Sequence, residues 1–286
     1  MELTAKAKIN LGLEITEILP DGYHSLFSIF HEIPLSDRLT LQKTDTPGIR
    51  LSCSDPALSC GEDNLCYRAA KLVYERFLPG EKSGLSVFLE KNIPMQAGLG
   101  GGSSDAAAVI RGMKALFMPE SMTKEAMKET AAALGADVPF FLTGGCMLVK
   151  GKGEAVSTLP SLSGFFLVLA RPKAGCDTGK VYRHWDELEE HRPVRMAEAV
   201  ENLMRGDYPA LFSNLGNALE ESAVDFVPEI ALIRKEMIKN GAQYAAMTGS
   251  GSCVFGFFGT EEKAKDAALS LSDRFWTWTG RMQEDY

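Results

Sequence analysis

The amino-acid sequence predicts an α+β fold divided into two domains. Its length of 286 residues exceeds that of a typical single domain and leaves ample material for a buried core. Segments with strand-like patterns cluster early in the chain, and the helical patterns that follow do not strictly alternate with strands. A composition of 45% hydrophobic and 24% charged residues is that of an ordinary globular protein. We place the boundary near residue 155, which gives domains 1–155 and 156–286.

The chain opens with patterns of period two. Between residues 3 and 15 apolar residues alternate with polar ones, which predicts a strand. The polar face of this strand comprises Thr4, Lys6, Lys8, Asn10, Gly12 and Glu14. The Pro-Asp-Gly of "LPDGYH" (residues 19–24) then predicts a turn. The elements predicted next are strands over 26–33, 38–43 and 85–93, and a helix over 64–77.

Residues 93–109, "IPMQAGLGGGSSDAAAV", form a glycine-rich stretch directly ahead of a helical pattern that runs to Phe117. A tight turn or hinge is one interpretation. The fingerprint G-x-G-x-x-G fails because its third glycine falls at Ser103 or Asp105, and a Walker A loop fails because no Gly-Lys-Ser/Thr follows. The third interpretation is an anion-binding loop, whose bare backbone N–H groups face a phosphate at a helix N-terminus. Ser103 and Ser104, predicted as N-cap residues, favour this loop over a hinge, which stays open.

Two shorter motifs follow. "LGADVPFF" (134–141) ends a helix predicted over 123–134, begins a short third helix, and places Asp137 ahead of Pro139, where an ordinary N-cap carboxylate is typical. "TGSGSCVFGFF" (248–258) is a Gly-Ser loop that runs into an apolar strand, and alone it indicates a hairpin turn. The other predicted elements are strands over 145–150 and 165–170 and helices over 178–190, 195–205, 207–223, 228–240 and 261–275.

Charge and cysteine usage exclude several classes of protein. The formal net charge of −8 argues against broad binding to nucleic acid or to an anionic membrane. The N-terminus lacks the apolar core of a signal peptide, and no apolar run is long enough to span a bilayer. Six cysteines without a Cys-x-x-Cys pair and four histidines without zinc spacing indicate reduced thiols and no structural metal. We therefore expect a cytoplasmic protein. We also expect a monomer or homodimer that acts on a small molecule, but the charge and the cysteines do not determine this.

Four motifs, in order along the chain, carry a resemblance to a known family. They are "AKAKINLGLEI" with "DGYH", "PMQAGLGGGSSDAAA", "GADVPFF" and "TGSGSCVFGF". Together they resemble the GHMP kinases. The resemblance implies a two-domain fold with the active site in the interdomain cleft, and Mg²⁺-dependent transfer of phosphate from ATP to a small alcohol. "AKIN" and "DGYH" resemble the branch that phosphorylates a hydroxyl of a cytidine-diphosphate sugar alcohol in non-mevalonate isoprenoid synthesis.

The same resemblance implies a role for individual residues. Asp137 is implied to be the catalytic base and Lys8 the cation that steadies it, while the match to "AKIN" selects Lys8 over Lys6. ATP is implied to bind Pro94, Met95, Gln96, Ala97, Gly98, Leu99, Gly100, Gly101, Gly102, Ser103 and Ser104, with the two serines as hydroxyl donors or near Mg²⁺. Substrate binding is implied for Asn10, Tyr23, His24, Tyr182, Gly249, Ser250 and Gly251. No residue is assigned as a metal ligand.

Two departures and two alternatives accompany these assignments. Ser252 stands where many relatives have proline, which is expected to loosen the late loop, and Ala218 stands where many have aspartate. One alternative is a GHMP kinase for homoserine or mevalonate, which would leave Tyr23 and His24 without a base to bind. The other is a non-catalytic nucleotide sensor on the same fold, which would be expected to have lost Lys8 and Asp137.

Overall fold

A computed structural model of the protein describes residues 1–151, 153 and 155–282; Lys152, Glu154 and residues 283–286, which the predicted domains include, lie outside the described residues. In the first half the elements are β1 (Glu2–Ile18), β2 (His24–Thr44), β3 (Ile49–Cys53), α1 (Leu65–Phe77), β4 (Gly84–Glu90), α2 (Gly101–Phe117), α3 (Lys124–Ala132) and α4 (Phe140–Thr143). Next come β5 (Cys146–Gly151), β6 (Ala155–Thr158), β7 (Phe166–Arg171), α5 (Thr178–Glu187), α6 (Met196–Arg205), α7 (Tyr208–Asn214) and α8 (Glu220–Phe226). The chain continues with α9 (Glu229–Lys239), β8 (Tyr244–Met247), β9 (Val254–Phe258), α10 (Glu261–Ser272) and β10 (Trp276–Arg281).

The strands form two sheets, and the mixture of helices and strands confirms the α+β class. The first sheet has the order β3-β4-β2-β5-β6, with β1 paired to β2. The second is antiparallel, with the order β10-β7-β9-β8. Among the described residues, no helix is both long enough and apolar enough to cross a membrane.

The chain divides into two compact units, each built from separate stretches of sequence. Unit 1 comprises Met1–Ala7, Leu35–Met95 and Gly100–Gly144. Unit 2 comprises Lys8–Pro34, Gln96–Leu99 and Gly145–Tyr286. The glycine-rich stretch therefore contributes residues to both units. The boundary near residue 155 stays a prediction about the sequence.

The largest correction to the predicted elements concerns β2, which is one strand of 21 residues and not two. Pro34 suggested a break, but the alternation of buried and exposed residues runs straight through it, with Ile33 and Leu35 buried and Pro34 exposed. Residues before Pro34 pair with β5, and residues after it pair with β4. Pro34 thus lies between the stretches of β2 that pair with β5 and with β4, and it takes part in neither of these two ladders.

The predicted helix over 207–223 is also wrong, because the structure has two helices there. The segment between α7 and α8 pairs with β1: the N–H of Leu13 donates to the carbonyl of Gly216, and the N–H of Ala218 donates to the carbonyl of Leu13. These bonds take the backbone groups that a continuous helix would use. Strands β3, β6 and β10 were not predicted, and β10 begins where the last predicted helix was expected to end.

Candidate active site

The glycine loop, residues 94–104 of the glycine-rich stretch, leads into α2, the longest helix among the described residues. Gly98 and Gly100 have φ angles of +74° and +71°, which side-chain-bearing residues rarely adopt. Helix α2 begins at Gly101, with Gly100 at its N-cap and no side-chain cap. The prediction that Ser103 and Ser104 are N-cap residues is therefore wrong, because both lie inside the first turn. The first intrahelical bond runs from the N–H of Ser104 to the carbonyl of Gly100. The N–H groups of Gly101, Gly102 and Ser103 come before this bond and can therefore face an anion.

The late Gly-Ser loop lies against the glycine loop within unit 2. The Thr248 hydroxyl contacts the carbonyl oxygen of Gly98 at 3.3 Å. A Cβ added to Gly98 would lie 2.3 Å from the Thr248 carbonyl oxygen, and one added to Gly249 would lie 3.4 Å from the Gly98 Cα. The two backbones thus approach more closely than side chains would allow. The close approach gives Gly98 a structural requirement for glycine in addition to its φ angle.

Gly98→Ala is expected to lower the free energy of unfolding by at least about 1–3 kcal/mol, because alanine meets both a positive φ and a backbone oxygen. Gly102→Ala is the matched control: its Cβ would lie 3.5 Å from a Leu65 methyl group, an ordinary contact, inside a helix that favours alanine. Denaturant unfolding of both variants measures the difference. Equal stabilities would show that the loop backbones do not require glycine at position 98.

Lys8 and Asn10 are buried on the polar face of β1, at 3% and 2% exposure, whereas Lys6 on the same face is exposed. Lys8 Nζ donates to Asn10 Oδ1 at 2.7 Å and lies 4.4 Å from the centre of the Phe30 ring. The N–H of Asn10 donates to the Thr248 hydroxyl at 2.9 Å. A buried ammonium held by an amide oxygen and an aromatic ring has a fixed position. These two hydrogen bonds connect Lys8 to the late loop through Asn10.

Asp137 lies half-buried in the turn between α3 and α4. Helix α4 begins at Phe140 with Pro139 at its N-cap, so Asp137 does not hold the N-cap position. The N–H of Val138 donates to the carbonyl of Gly135, which closes a tight turn around the aspartate. The alternative interpretation of this residue as the N-cap residue of the short helix is therefore wrong.

His24 belongs to an aromatic cluster in unit 2. Its ring centre lies 4.6 Å from that of Tyr182 and 5.8 Å from that of Trp185, and its Nε2 lies 2.6 Å from Asp186 Oδ1. The structure therefore brings two predicted substrate residues, His24 and Tyr182, into contact. Tyr23 is 66% exposed, so its ring is available to a ligand. Asp186 was missed, although its position four residues after Tyr182 on a helix places both on one face.

Two further side chains, Asn217 and Ser252, form hydrogen bonds at the late loop, and the sequence pointed to only the second of them. Asn217 Nδ2 donates to the carbonyl oxygens of Met247 at 2.9 Å and Gly249 at 2.8 Å. Ser252 is fully buried, and its hydroxyl donates to the carbonyl of Ala174 at 2.6 Å. The Ser252 hydroxyl thus forms a hydrogen bond that a proline at this position could not form, and the loosening of the late loop stays a prediction.

A buried ionic cluster braces the start of α2 in unit 1. Lys91 Nζ donates to Asp105 Oδ2 at 2.9 Å and also to Asp37 Oδ2, while Asp37 Oδ1 accepts the N–H groups of Asn92 and Ile93. Burial raises the pKa of Asp105 to about 8, opposed by the Lys91 ammonium and reinforced by the Asp37 carboxylate. Burial disfavours the Lys91 ammonium, but the two carboxylates raise its pKa above the ordinary value. Asp105 is thus engaged inside the unit.

Comparison with known proteins decides the family. The GHMP kinases N terminal domain matches residues 64–145, and the GHMP kinases C terminal domain matches residues 198–276. A protein of Desulfitobacterium hafniense (strain Y51), called 4-diphosphocytidyl-2-C-methyl-D-erythritol kinase, is 41% identical across 99% of this chain and 96% of that protein. The chain belongs to the GHMP kinases.

Solved structures agree with the GHMP kinase fold. A crystal structure of 4-(cytidine 5'-diphospho)-2C-methyl-D-erythritol kinase aligns at a TM-score of 0.83 and 36% identity, covering 98% of each chain. A homoserine kinase from Cytophaga hutchinsonii aligns at a TM-score of 0.73 and 16% identity, covering 98% of this chain and 95% of the other. The second likeness shows the fold alone. The predicted GHMP kinase fold is therefore confirmed.

The predicted site residues are grouped one way by the N-terminal GHMP kinase match and another way by the two compact units of the structure. The N-terminal family match contains the whole glycine loop and Asp137, whereas Lys8, Asn10, Tyr23 and His24 precede it. In the structure, Lys8, Asn10, Tyr23, His24, Tyr182 and the late loop all belong to unit 2, and Asp137 belongs to unit 1. Within unit 2, Asn10 contacts both Lys8 and the late loop, and His24 contacts Tyr182.

Proposed function

We propose that the protein transfers the γ-phosphoryl group of ATP to a hydroxyl of 4-diphosphocytidyl-2-C-methyl-D-erythritol, a step of non-mevalonate isoprenoid synthesis. One observation carries this proposal: proteins of that name match at 36–41% identity over nearly the full length of the chain. The buried Lys8 and the exposed Tyr23 beside His24 support it from within the structure. They provide a fixed cation and an aromatic surface, which suit a kinase acting on a substrate that carries a base.

The proposed reaction is direct in-line transfer. Asp137 accepts the proton of the substrate hydroxyl as that oxygen bonds to the γ-phosphorus, and the bond from phosphorus to the β-phosphate oxygen breaks to release ADP. The Lys8 ammonium stabilises negative charge around the reacting oxygen. No phosphorylated enzyme forms. The pairing of Asp137 with Lys8 follows the family pattern.

The phosphates of ATP are proposed to face the backbone N–H groups of Gly98 to Gly102, with the remaining residues from Pro94 to Ser104 around the nucleotide. The helix dipole of α2 and its uncapped first turn support this placement. Ser103 is half-buried and keeps the more accessible hydroxyl, because Ser104 is 1% exposed. Gly249, Ser250 and Gly251 are proposed to contact the substrate from the late loop.

Mg²⁺ is proposed to accompany ATP, and the Ser103 hydroxyl is the protein group that would help to hold it. The donor set fits an ion carried mainly by phosphate oxygens and water, which is the usual mode for Mg²⁺ in kinases. When bound, the ion neutralises charge on the phosphates. Asp105 is not a proposed ligand, because Lys91 holds its carboxylate inside unit 1. A cytoplasmic location and a monomeric or homodimeric state are further proposals.

Release of ADP from ATP with a panel of alcohols tests the proposed function. We expect release with 4-diphosphocytidyl-2-C-methyl-D-erythritol and only background release with homoserine, mevalonate or no alcohol. Release with homoserine or mevalonate instead would establish the first alternative. ATP binding without ADP release on any alcohol would establish the nucleotide sensor. Asp137→Asn is the control for a contaminating kinase, since it should lower release that belongs to this protein by about 10²-fold or more.

A further inference from the structure

The residues around His24 constrain both the orientation of its imidazole ring and the position of its hydrogen. The imidazole is 7% exposed, and rings pack against it from Tyr182, tilted by 40°, and from Trp185, edge-on at 83°. Asp186, one residue after Trp185 on α5, lies 2.6 Å from Nε2. The imidazole therefore contacts two aromatic rings, and one of its nitrogens contacts a carboxylate.

The carboxylate determines which ring nitrogen carries hydrogen. An ionised carboxylate only accepts hydrogen bonds, so a bond at 2.6 Å requires hydrogen on Nε2. In the neutral imidazole, hydrogen on Nε2 leaves a lone pair on Nδ1, which then acts as an acceptor. Asp186 also opposes a 180° flip of the ring, because a flip would replace Nε2 with a carbon atom at the carboxylate.

We propose that Asp186 is a positioning residue that holds His24 with its Nδ1 lone pair toward the substrate base, and thereby makes the site select cytosine over uracil. The inference rests on the proposed function, in which His24 reads the base. Cytosine presents an amino group at C4 that can donate to Nδ1. Uracil presents a carbonyl oxygen at C4, which would face Nδ1 lone pair to lone pair. Loss of this bond, with both acceptors left unsatisfied, is expected to disfavour uracil about 10- to 100-fold.

The test compares kcat/KM for the cytidine-diphosphate substrate with kcat/KM for its uridine-diphosphate analogue. In Asp186→Ala we expect the preference for cytosine to fall about tenfold, mainly through a higher KM of the cytidine substrate, with the KM of ATP unchanged. Asp186→Glu keeps a carboxylate on an exposed helix face and is expected to restore most of the preference. Nitrogen-15 NMR of the histidines should show hydrogen on Nε2 of His24 in the wild type and a mixture of tautomers in Asp186→Ala.

Asp225→Ala is the matched control, because Asp225 also contacts a histidine from a helix of unit 2, at 3.3 Å from His184 Nε2. It should alter neither the base preference nor the signals of His24. An unchanged preference or an unchanged His24 tautomer in a folded Asp186→Ala protein would overturn the inference.

Failure of the proposed function gives a different result. A wild-type protein that phosphorylates neither substrate would remove the proposed function, and binding of CDP against UDP, followed by the same NMR signals, would then decide the role of Asp186. A CDP preference lost in Asp186→Ala would support the inference, and equal binding of CDP and UDP to the wild type would overturn it.

Discussion

Asp137→Asn is expected to lower kcat by about 10²- to 10⁴-fold, the range typical of a removed general base. Asparagine has the same shape as aspartate but cannot take the proton of the attacking hydroxyl. The fold should be retained, because Asp137 is half-buried in a turn and Pro139, not Asp137, holds the N-cap of α4. The measurement is steady-state ADP release, together with the KM of ATP and thermal unfolding.

A second carboxylate controls for the loss of one negative charge. Asp45 is exposed in the turn after β2, also in unit 1, and Asp45→Asn should leave kcat, KM and thermal unfolding at wild-type values. The KM of ATP in Asp137→Asn should stay within about twofold of the wild type, because uniform binding is not removed. Wild-type turnover in Asp137→Asn would exclude the residue from the mechanism and leave positioning alone to drive transfer.

Patterns that belong to one element were predictable from the sequence. The glycine loop precedes α2 as predicted, Asn64 caps α1 by accepting the N–H of Cys66, and Thr123 caps α3 by accepting the N–H of Ala126. Each of these features depends on neighbouring residues, so local propensity determines it. The prediction that Ser103 and Ser104 cap the helix was wrong for a reason that is also local. Gly100 already turns the chain with a positive φ, and the helix begins two residues before Ser103.

Features that join distant parts of the chain were not predictable. Asp186 meets His24 across 162 residues, and Thr248 meets Gly98 across 150. The hydrophobic periodicity of either segment carries no information about the distant residue that it contacts. Lys6 and Lys8 illustrate the same limit, because the alternation places both on one face of β1. Only the packing of unit 2 buries one of them, and the choice of Lys8 came from resemblance to the family.

The substitution Lys8→Met tests whether the buried ammonium of Lys8 contributes to catalysis. Methionine keeps a similar unbranched length against the Phe30 ring but removes the ammonium, so kcat is expected to fall about 10²- to 10³-fold, as when a preorganised electrostatic donor is lost. The fold should persist, because Asn10 Oδ1 keeps its 3.3 Å contact with the Thr248 hydroxyl after the lysine is removed. ADP release at saturating ATP measures kcat, and thermal unfolding checks the fold.

Lys6→Met separates this effect from a general loss of positive charge. Lys6 lies two residues earlier on the same strand face but is exposed, so its replacement should change kcat less than about twofold, because exposed charged groups contribute little. Equal losses in the two variants would assign the effect to net charge, and undiminished turnover in Lys8→Met would exclude Lys8 from catalysis. A large loss in Lys8→Met alone means that the strand uses its buried lysine for chemistry. An ammonium at 3% exposure is costly to bury, and a function that needs a fixed cation would account for that cost.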